Sequence, residues 1–272
     1  MSARYVTAAA LRKLAAQLTE RDHELVQTVC VLRFVSGSQL QRMHFTDAEG
    51  DDANARTARR ALLRLVSLGV LERLPRQVGG VRAGSAGFVY RLGRAGQRLA
   101  VERGWSSNSR RQWQSHVPGR LFLDHALQVA ELHTLIVEAD RAGLVELLWL
   151  EAEPACWRSY GQRATLKPDS HVRLGIGDYE DSYMIEVDMG TESSRTLERK
   201  LGDYLTYEAS GREQAEHGVF PKTLWLVPDA ERARVIESCI ERLPRSAHRL
   251  FAVNQFKDVI AAVATPEPAD KG

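Results

Sequence analysis

Cysteine is scarce: three in 272 residues, at positions 30, 156 and 239. None lies near another, so neither a disulfide framework nor a zinc finger has the spacing it needs, and a reducing cytoplasm suits them. Long apolar runs are missing too, which excludes a membrane span, and the opening MSARYVTAAALRKLAAQL is amphipathic without the apolar core of a secretion signal. Lysine is nearly absent from residues 1–120, where nineteen of twenty cations are arginine. That stretch carries 20 Lys/Arg against 9 Asp/Glu, a net of +11, while residues 121–272 carry 17 against 26, a net of −9. The whole-chain net of +2 hides this division. An arginine-rich front half points to nucleic acid, because the guanidinium fork matches phosphate. What remains is ordinary: 44% hydrophobic and 26% charged residues, enough for one large or two modest soluble domains.

The front half reads as helices followed by a hairpin. An amphipathic arm covers residues 1–17. Thr19 then caps LTERDHELVQTVCVLRFV, whose Leu25, Val26, Val29 and Leu32 recur at helical spacing. Ser36-Gly37-Ser38 breaks it before a short second helix, SQLQRMHF. A polar loop, TDAEGDDAN, leads to a third helix from Ala55 to Leu68, closed by Gly69 as a left-handed cap. Arg56, Arg60 and Arg64 stand four apart with Arg59 beside them, while Leu62, Leu65 and Val66 face inward. VLERLPR and GFVYRLG alternate like two strands joined by the glycine-rich QVGGVRAGSA. Three helices and a two-stranded wing are the order of a winged helix-turn-helix, in which the third helix enters the major groove. Arg56, Thr57, Arg59, Arg60 and Arg64 would face DNA, with Arg76 and Arg82 on the wing. The bland alternatives are a solvated arginine stripe or a winged helix that binds protein. A fourth helix closes this domain at 1–104, and the polar, basic residues 105–120 read as a linker.

In the back half a long helix, 121–142, precedes the strand VELLWLEAE. A loop then leads to a strand opened by Asp169, followed by the strand SYMIEVD. Along that last strand Glu186 and Asp188 share one face and Ile185 and Val187 the other. Two acids on one face of an apolar strand lose hydration and repel. A divalent cation, a lysine or backbone donors could compensate them; a wet edge strand is the plain alternative. A helix over 191–210 turns Leu197, Leu201, Tyr204 and Leu205 inward. The buried strand KTLWLVPD, the helix AERARVIESCIERL and a last strand HRLFAVNQ follow. This domain spans 121–264, with a disordered tail at 265–272.

The order helix, three strands, helix, strand, with an acid opening the second strand and paired acids on the third, resembles the PD-(D/E)XK nuclease-like fold. The fold class expected is therefore α+β: an N-terminal winged helix-turn-helix followed by an α/β domain with an αβββαβ core. Pro168-Asp169 matches the first part of that motif, and Glu186-Val187-Asp188 stands where (D/E)-x-K belongs. Asp188 occupies the lysine's place, and Lys200 on the next helix would return the ammonium. The resemblance implies a site in which Asp169, Glu186 and Asp188, with Glu131 added, hold Mg²⁺ or Mn²⁺. Lys200 would orient water or stabilise developing charge.

The stretches LTERDHELVQTV, ARRALLRLVSLGVLERL, IEVDMGTES and LERKLGDYLTY make the layout similar to the replication-relaxation family of plasmids and other mobile elements, over about residues 18–243. This implies a cytoplasmic DNA-binding protein acting in replication, relaxation or transfer, or in transcription regulation of such an element. Its partners would be double-stranded DNA, a second copy in a homodimer, and replication or conjugation proteins. DNA binding would need no cofactor. A metal-dependent endonuclease targeted by the winged helix is the competing expectation, and an RNA-binding protein a third.

Overall fold

The computed structural model describes residues 7–47, 49–74, 87–105, 118–161 and 164–265. The chain divides into two compact units, Met1–Thr134 and Leu135–Gly272. Arg76, Arg82, the glycine-rich stretch between the two front strands, most of the expected linker and nearly all of the expected tail lie outside the described residues. No described helix is long and apolar enough to cross a membrane.

In the first unit, Thr7 caps α1 (Ala8–Ala15). Helix α2 (Glu20–Leu32) starts where expected, at a capping box in which Thr19 and Asp22 satisfy each other's backbone N–H groups. Ser36, expected as a breaker, closes the short strand β1 (Val35–Ser36) and caps α3 (Gly37–His44) through a second capping box with Gln39. Helix α4 (Asp51–Ser67) begins four residues before its expected start. Asp51 and Asp52, which resemble loop residues in the sequence, occupy its first turn, where acids favour the positive end of the helix dipole. Gly69 then takes φ 68°, the left-handed value anticipated for it.

Strands β2 (Leu71–Arg73) and β3 (Val89–Leu92) pair antiparallel, and β1 joins the other edge of β3 to give the order β1-β3-β2. Helix α5 (Arg94–Glu102) closes against this sheet. Leu25, Val26, Val29, Leu40, Leu65, Val70, Leu71 and Leu99 are all but fully buried and form the core. Helix α6 (Arg120–Arg141) belongs to the first unit as far as Thr134. Its Leu123 and Ala126 are buried with Phe34 and Leu74, and the division between the two compact units falls within α6.

The second unit is built on a five-stranded mixed sheet in the order β10-β9-β8-β7-β4. Strand β7 (Ser170–Ile176) runs antiparallel to both β4 (Glu146–Ala152) and β8 (Tyr179–Val187). Strands β9 (Lys222–Val227) and β10 (Phe251–Gln255) continue parallel to β8. The stretch read as a loop before Asp169 contains a small hairpin, β5 (Arg158–Tyr160) with β6 (Ala164–Leu166). Between β8 and β9 come α7 (Ser194–Ala209) and the one-turn α8 (Arg212–His217); α9 (Ala230–Glu241) precedes a 3-10 turn and β10. The chain then continues through α10 (Val259–Val263).

Leu197, Leu201 and Tyr204 of α7 and Ile236, Cys239 and Ile240 of α9 pack on Met184, Trp225 and Val227 of the sheet. Met184 shares its face of β8 with Glu186 and Asp188, so period-two alternation drives both acids into the interface under α7 and α9. Both are buried, at 3% and 7% exposure.

Candidate functional site

Two features, one in each unit, hold most of the residues singled out from the sequence. On α4, Arg56, Thr57, Arg59, Arg60 and Arg64 are all exposed, while Ala58, Leu62 and Leu65 on the opposite side are buried. The arginines have different roles. Arg64 reaches back to α2, and its Nη2 lies 2.6 Å from both carboxylate oxygens of Asp22, whose side chain is 2% exposed. Burial alone would raise the Asp22 carboxyl; hydrogen bonds from Arg64 and Thr19 outweigh it and hold it below its ordinary value. The Thr57 hydroxyl donates to the Ala53 carbonyl at 3.0 Å. Burial raises the Tyr90 phenol, and the charges of Arg73 and Arg59 oppose part of that rise. At the base of the hairpin the Arg73 guanidinium lies 3.9 Å from the ring centroid of half-exposed Phe88.

In the second unit the motif acids are tied into a network of ion pairs and hydrogen bonds. One step along β7 and β8 from the paired Ser170 and Ile185 stand Asp169 and Glu186. Asp169 Oδ2 accepts the Val187 N–H at 2.8 Å. Glu186 Oε1 accepts the Tyr204 hydroxyl at 2.7 Å, and its Oε2 accepts the Lys200 ammonium at 3.0 Å. Lys200 and Tyr204 are four apart on α7, which places both over the same strand position. The ammonium also lies 3.0 Å from Glu192 Oε1 and 5.6 Å from the Trp225 ring centroid. Asp188 is held otherwise. Arg232, in the first turn of α9, grips it with a fork of 2.9 Å from Nε and 2.7 Å from Nη2, and the Gly190 N–H donates to the same carboxylate.

Charge follows this geometry. Burial pushes the Glu186 carboxyl up to about 7, and the charge of Asp169 adds to the rise; Lys200 and the Tyr204 hydroxyl pull the other way. Burial alone would lower the Lys200 ammonium, yet the carboxylates of Glu186, Glu192 and Asp169 outweigh it and hold it well above the usual lysine range. Burial and the adjoining Glu186 charge keep the Tyr204 phenol protonated, so that it donates to Glu186. The pair is thus a firmly protonated ammonium facing a carboxylate whose hold on a proton is strengthened by burial.

A Mg²⁺ or Mn²⁺ ion needs several carboxylate oxygens converging on one point. Both oxygens of Glu186 and both of Asp188 already take donors from protein side chains. Glu131, placed in the metal set from the sequence, belongs to the first unit: Arg42 donates to its Oε1 at 2.5 Å and Gln39 to its Oε2 at 3.0 Å. Among the described residues no three His, Cys, Asp or Glu side chains come together in a way that could hold a metal ion. The residues present do not fit the group.

The structure brings Asp169, Glu186 and Lys200 into one cluster and ties Asp188 to Arg232. Sequence reasoning missed three members. Tyr204 was read as packing alone, although its spacing from Lys200 marks a shared stripe. Glu192 and Arg232 carried no pattern; Arg232 meets Asp188 across 44 residues of chain.

The replication-relaxation sequence profile matches residues 27–223. The chain belongs to the replication-relaxation family. The matched stretch opens inside α2 and ends in β9, so it takes in α4, Glu186 and Lys200 and stops short of Arg232. No curated protein is significantly similar to the chain. Among solved structures, restriction endonuclease FokI aligns over 97% of this chain and 73% of its own at 9% identity, with a TM-score of 0.25. So slight a likeness carries no argument.

Proposed function

We propose that this member of the replication-relaxation family binds duplex DNA through a winged helix in its first unit. It would act in the replication, relaxation or transfer of a plasmid or other mobile element, or in transcription regulation of one. The observation that carries the reading is α4. Arg56, Arg59 and Arg60 are exposed on one side of a helix whose other side is buried, beside an antiparallel hairpin, in the half of the chain with a net charge of +11. Arginine on an exposed helix face suits phosphate contact, and phosphate contact positions a helix in a groove. The second unit, on this reading, is a PD-(D/E)XK-like module that supports binding or assembly without cleaving. Double-stranded DNA is the partner; a second copy and replication or conjugation proteins would engage the rest of the chain. No cofactor is required.

The test is fluorescence anisotropy of the full chain with labelled duplex across a salt series. Arg56→Ala and Arg60→Ala should each weaken binding about equally on all sequences and lower the slope of log affinity against log salt by about 1. Unchanged affinity in the double variant would mean that α4 is not the DNA-facing helix. Transcription regulation predicts a preferred site, so equal affinity for random duplex would remove that role.

One observation favours a second reading, a Mg²⁺- or Mn²⁺-dependent endonuclease. Lys200 lies 3.0 Å from Glu186 in a cluster with Asp169, the set from which such a site is made. This reading predicts nicking of supercoiled plasmid that is lost in Asp169→Ala and Glu186→Ala while DNA binding survives. The engagement of the donors weighs against it.

A further inference from the structure

We infer that Arg73, held over the Phe88 ring at the base of the hairpin, is a phosphate anchor for duplex DNA, so that the DNA surface extends from α4 onto the hairpin. The inference rests on the DNA-binding reading of the first unit and adds a contact which that reading does not require.

The arginines of the first unit fall into two groups. Arg21, Arg42, Arg64 and Arg91 are held in ion pairs by Asp47, Glu131, Asp22 and Glu72. Among the described residues no carboxylate pairs with Arg56, Arg59, Arg60 or Arg73. Arg73 thus belongs with the α4 arginines, although it stands on a strand. Strand alternation is the reason. The only acid between Leu71 and Leu92 is Glu72, and consecutive residues of a strand point to opposite faces. On the face of Glu72 stands Arg91, its register partner, with Nη2 at 2.9 Å and Nε at 3.1 Å from the carboxylate. On the other face Arg73 stands opposite Tyr90, and its guanidinium lies 3.9 Å from the centroid of the Phe88 ring.

Helix α4 adjoins this second face. A Cβ added at Gly37 would lie 3.3 Å from Tyr90 Cε2 and 3.8 Å from Leu62 Cδ1, so the first turn of α3 sits between strand and helix. Arg59 precedes Leu62 by one turn, and the Tyr90 phenol feels the charges of both Arg59 and Arg73. The ring that carries Arg73 stands on a fixed backbone. The Phe88 carbonyl accepts the Gly37 N–H at 2.9 Å, and the next carbonyl, that of Val89, accepts the Leu74 N–H at 2.9 Å. Arg73 and Phe88 are nevertheless both exposed. A guanidinium steadied by a ring loses less rotamer freedom when a ligand arrives. Its planar fork matches paired phosphate oxygens. An exposed cation with no acid beside it, next to an exposed arginine helix, suits the backbone phosphate of the duplex that α4 faces.

Anisotropy of the full chain with labelled duplex across a salt series tests this, with thermal midpoints to confirm that each variant folds. Arg73→Ala should weaken binding alike on all sequences and lower the slope of log affinity against log salt by about 1. Arg73→Lys, which keeps the charge and loses the fork, should weaken binding and keep the slope. Phe88→Leu should weaken it by up to about fivefold, also at constant slope. Arg91→Ala removes the same charge from the opposite face and should leave the slope nearly unchanged. A slope that Arg73→Ala does not alter would overturn the inference, and so would an equal fall in Arg91→Ala, which would mark an effect of net charge alone. If Arg56→Ala and Arg60→Ala lower the slope and Arg73→Ala does not, the anchor fails while DNA binding through α4 stands. If none of the three lowers it, both fail.

Discussion

Arg64 stands four residues after Arg60 on the same exposed side of α4, yet its guanidinium is bound to buried Asp22. Removing it strands a carboxylate that the fold has already taken out of water. Arg64→Ala should cost about 1–3 kcal/mol, an unpaired buried charge discounted for the half-exposed arginine. Urea unfolding of Arg64→Ala, Asp22→Asn and the double variant measures this; simple additivity would show that the pair is not coupled. Its loss should reach DNA affinity only through folding, unlike that of Arg56 or Arg60.

His133 makes a second prediction at this scale. Burial drives its imidazole from the ordinary 6.5 down to about 3, so between those values the unfolded chain binds a proton that the folded chain refuses. Stability is therefore full above pH 6.5 and falls as the pH drops towards 3, by up to about 1.4 kcal/mol per pH unit for this one group. His133→Gln should flatten the acid side of the urea-midpoint profile. An unchanged slope would contradict the burial assigned to the ring.

Among the elements, α5 sits so close to the turn leading into β2 that one of its residues can only be glycine. A Cβ at Gly96 would meet the Val70 carbonyl oxygen at 2.2 Å and Leu92 Cδ2 at 3.3 Å. Alanine is ordinarily the better helix former, by about 1 kcal/mol. Here the clash is with backbone, which cannot rotate aside, and Gly96→Ala should destabilise the chain by about 1–3 kcal/mol. A thermal midpoint that rises would show α5 standing further off.

The elements also show how much could be read in advance. Thr19 as a cap and Gly69 in the left-handed region were legible because both depend on neighbours three or four residues away. The start of α4 was not, since Asp51 and Asp52 suit a loop and a first helical turn equally. Alternation alone put Glu186 and Asp188 on one face of β8. It could not say what would meet them there: β7, α7 and α9 come together only once the sheet has ordered itself as β10-β9-β8-β7-β4. Glu131 shows the converse. A carboxylate on the helix before the strands suited a metal set, but Arg42 and Gln39 hold it in the first unit.

Across the whole molecule, charge and architecture divide at nearly the same place. The arginine-rich half supplies an exposed helical stripe, and its phosphate contacts make affinity depend steeply on salt. The acidic half buries Glu186 and Asp188 against Lys200 and Arg232, where added salt screens them little. The Arg56 and Arg60 variants should therefore change the salt slope of DNA binding, whereas a Lys200 variant should change stability with little dependence on salt.

Local and periodic properties were written in the amino-acid order: the arginine stripe, the caps, the shared face of Glu186 and Asp188, and the division of charge between the halves. Each depends on residues within a turn or two of one another or on composition alone. The partners of the buried acids were decided by tertiary structure. Lys200 and Tyr204 reach Glu186 from the crossover helix, and Arg232 reaches Asp188 across 44 residues. Which donor meets which carboxylate follows from how helices settle on a sheet, and a single chain's pattern of residue types does not encode that distance.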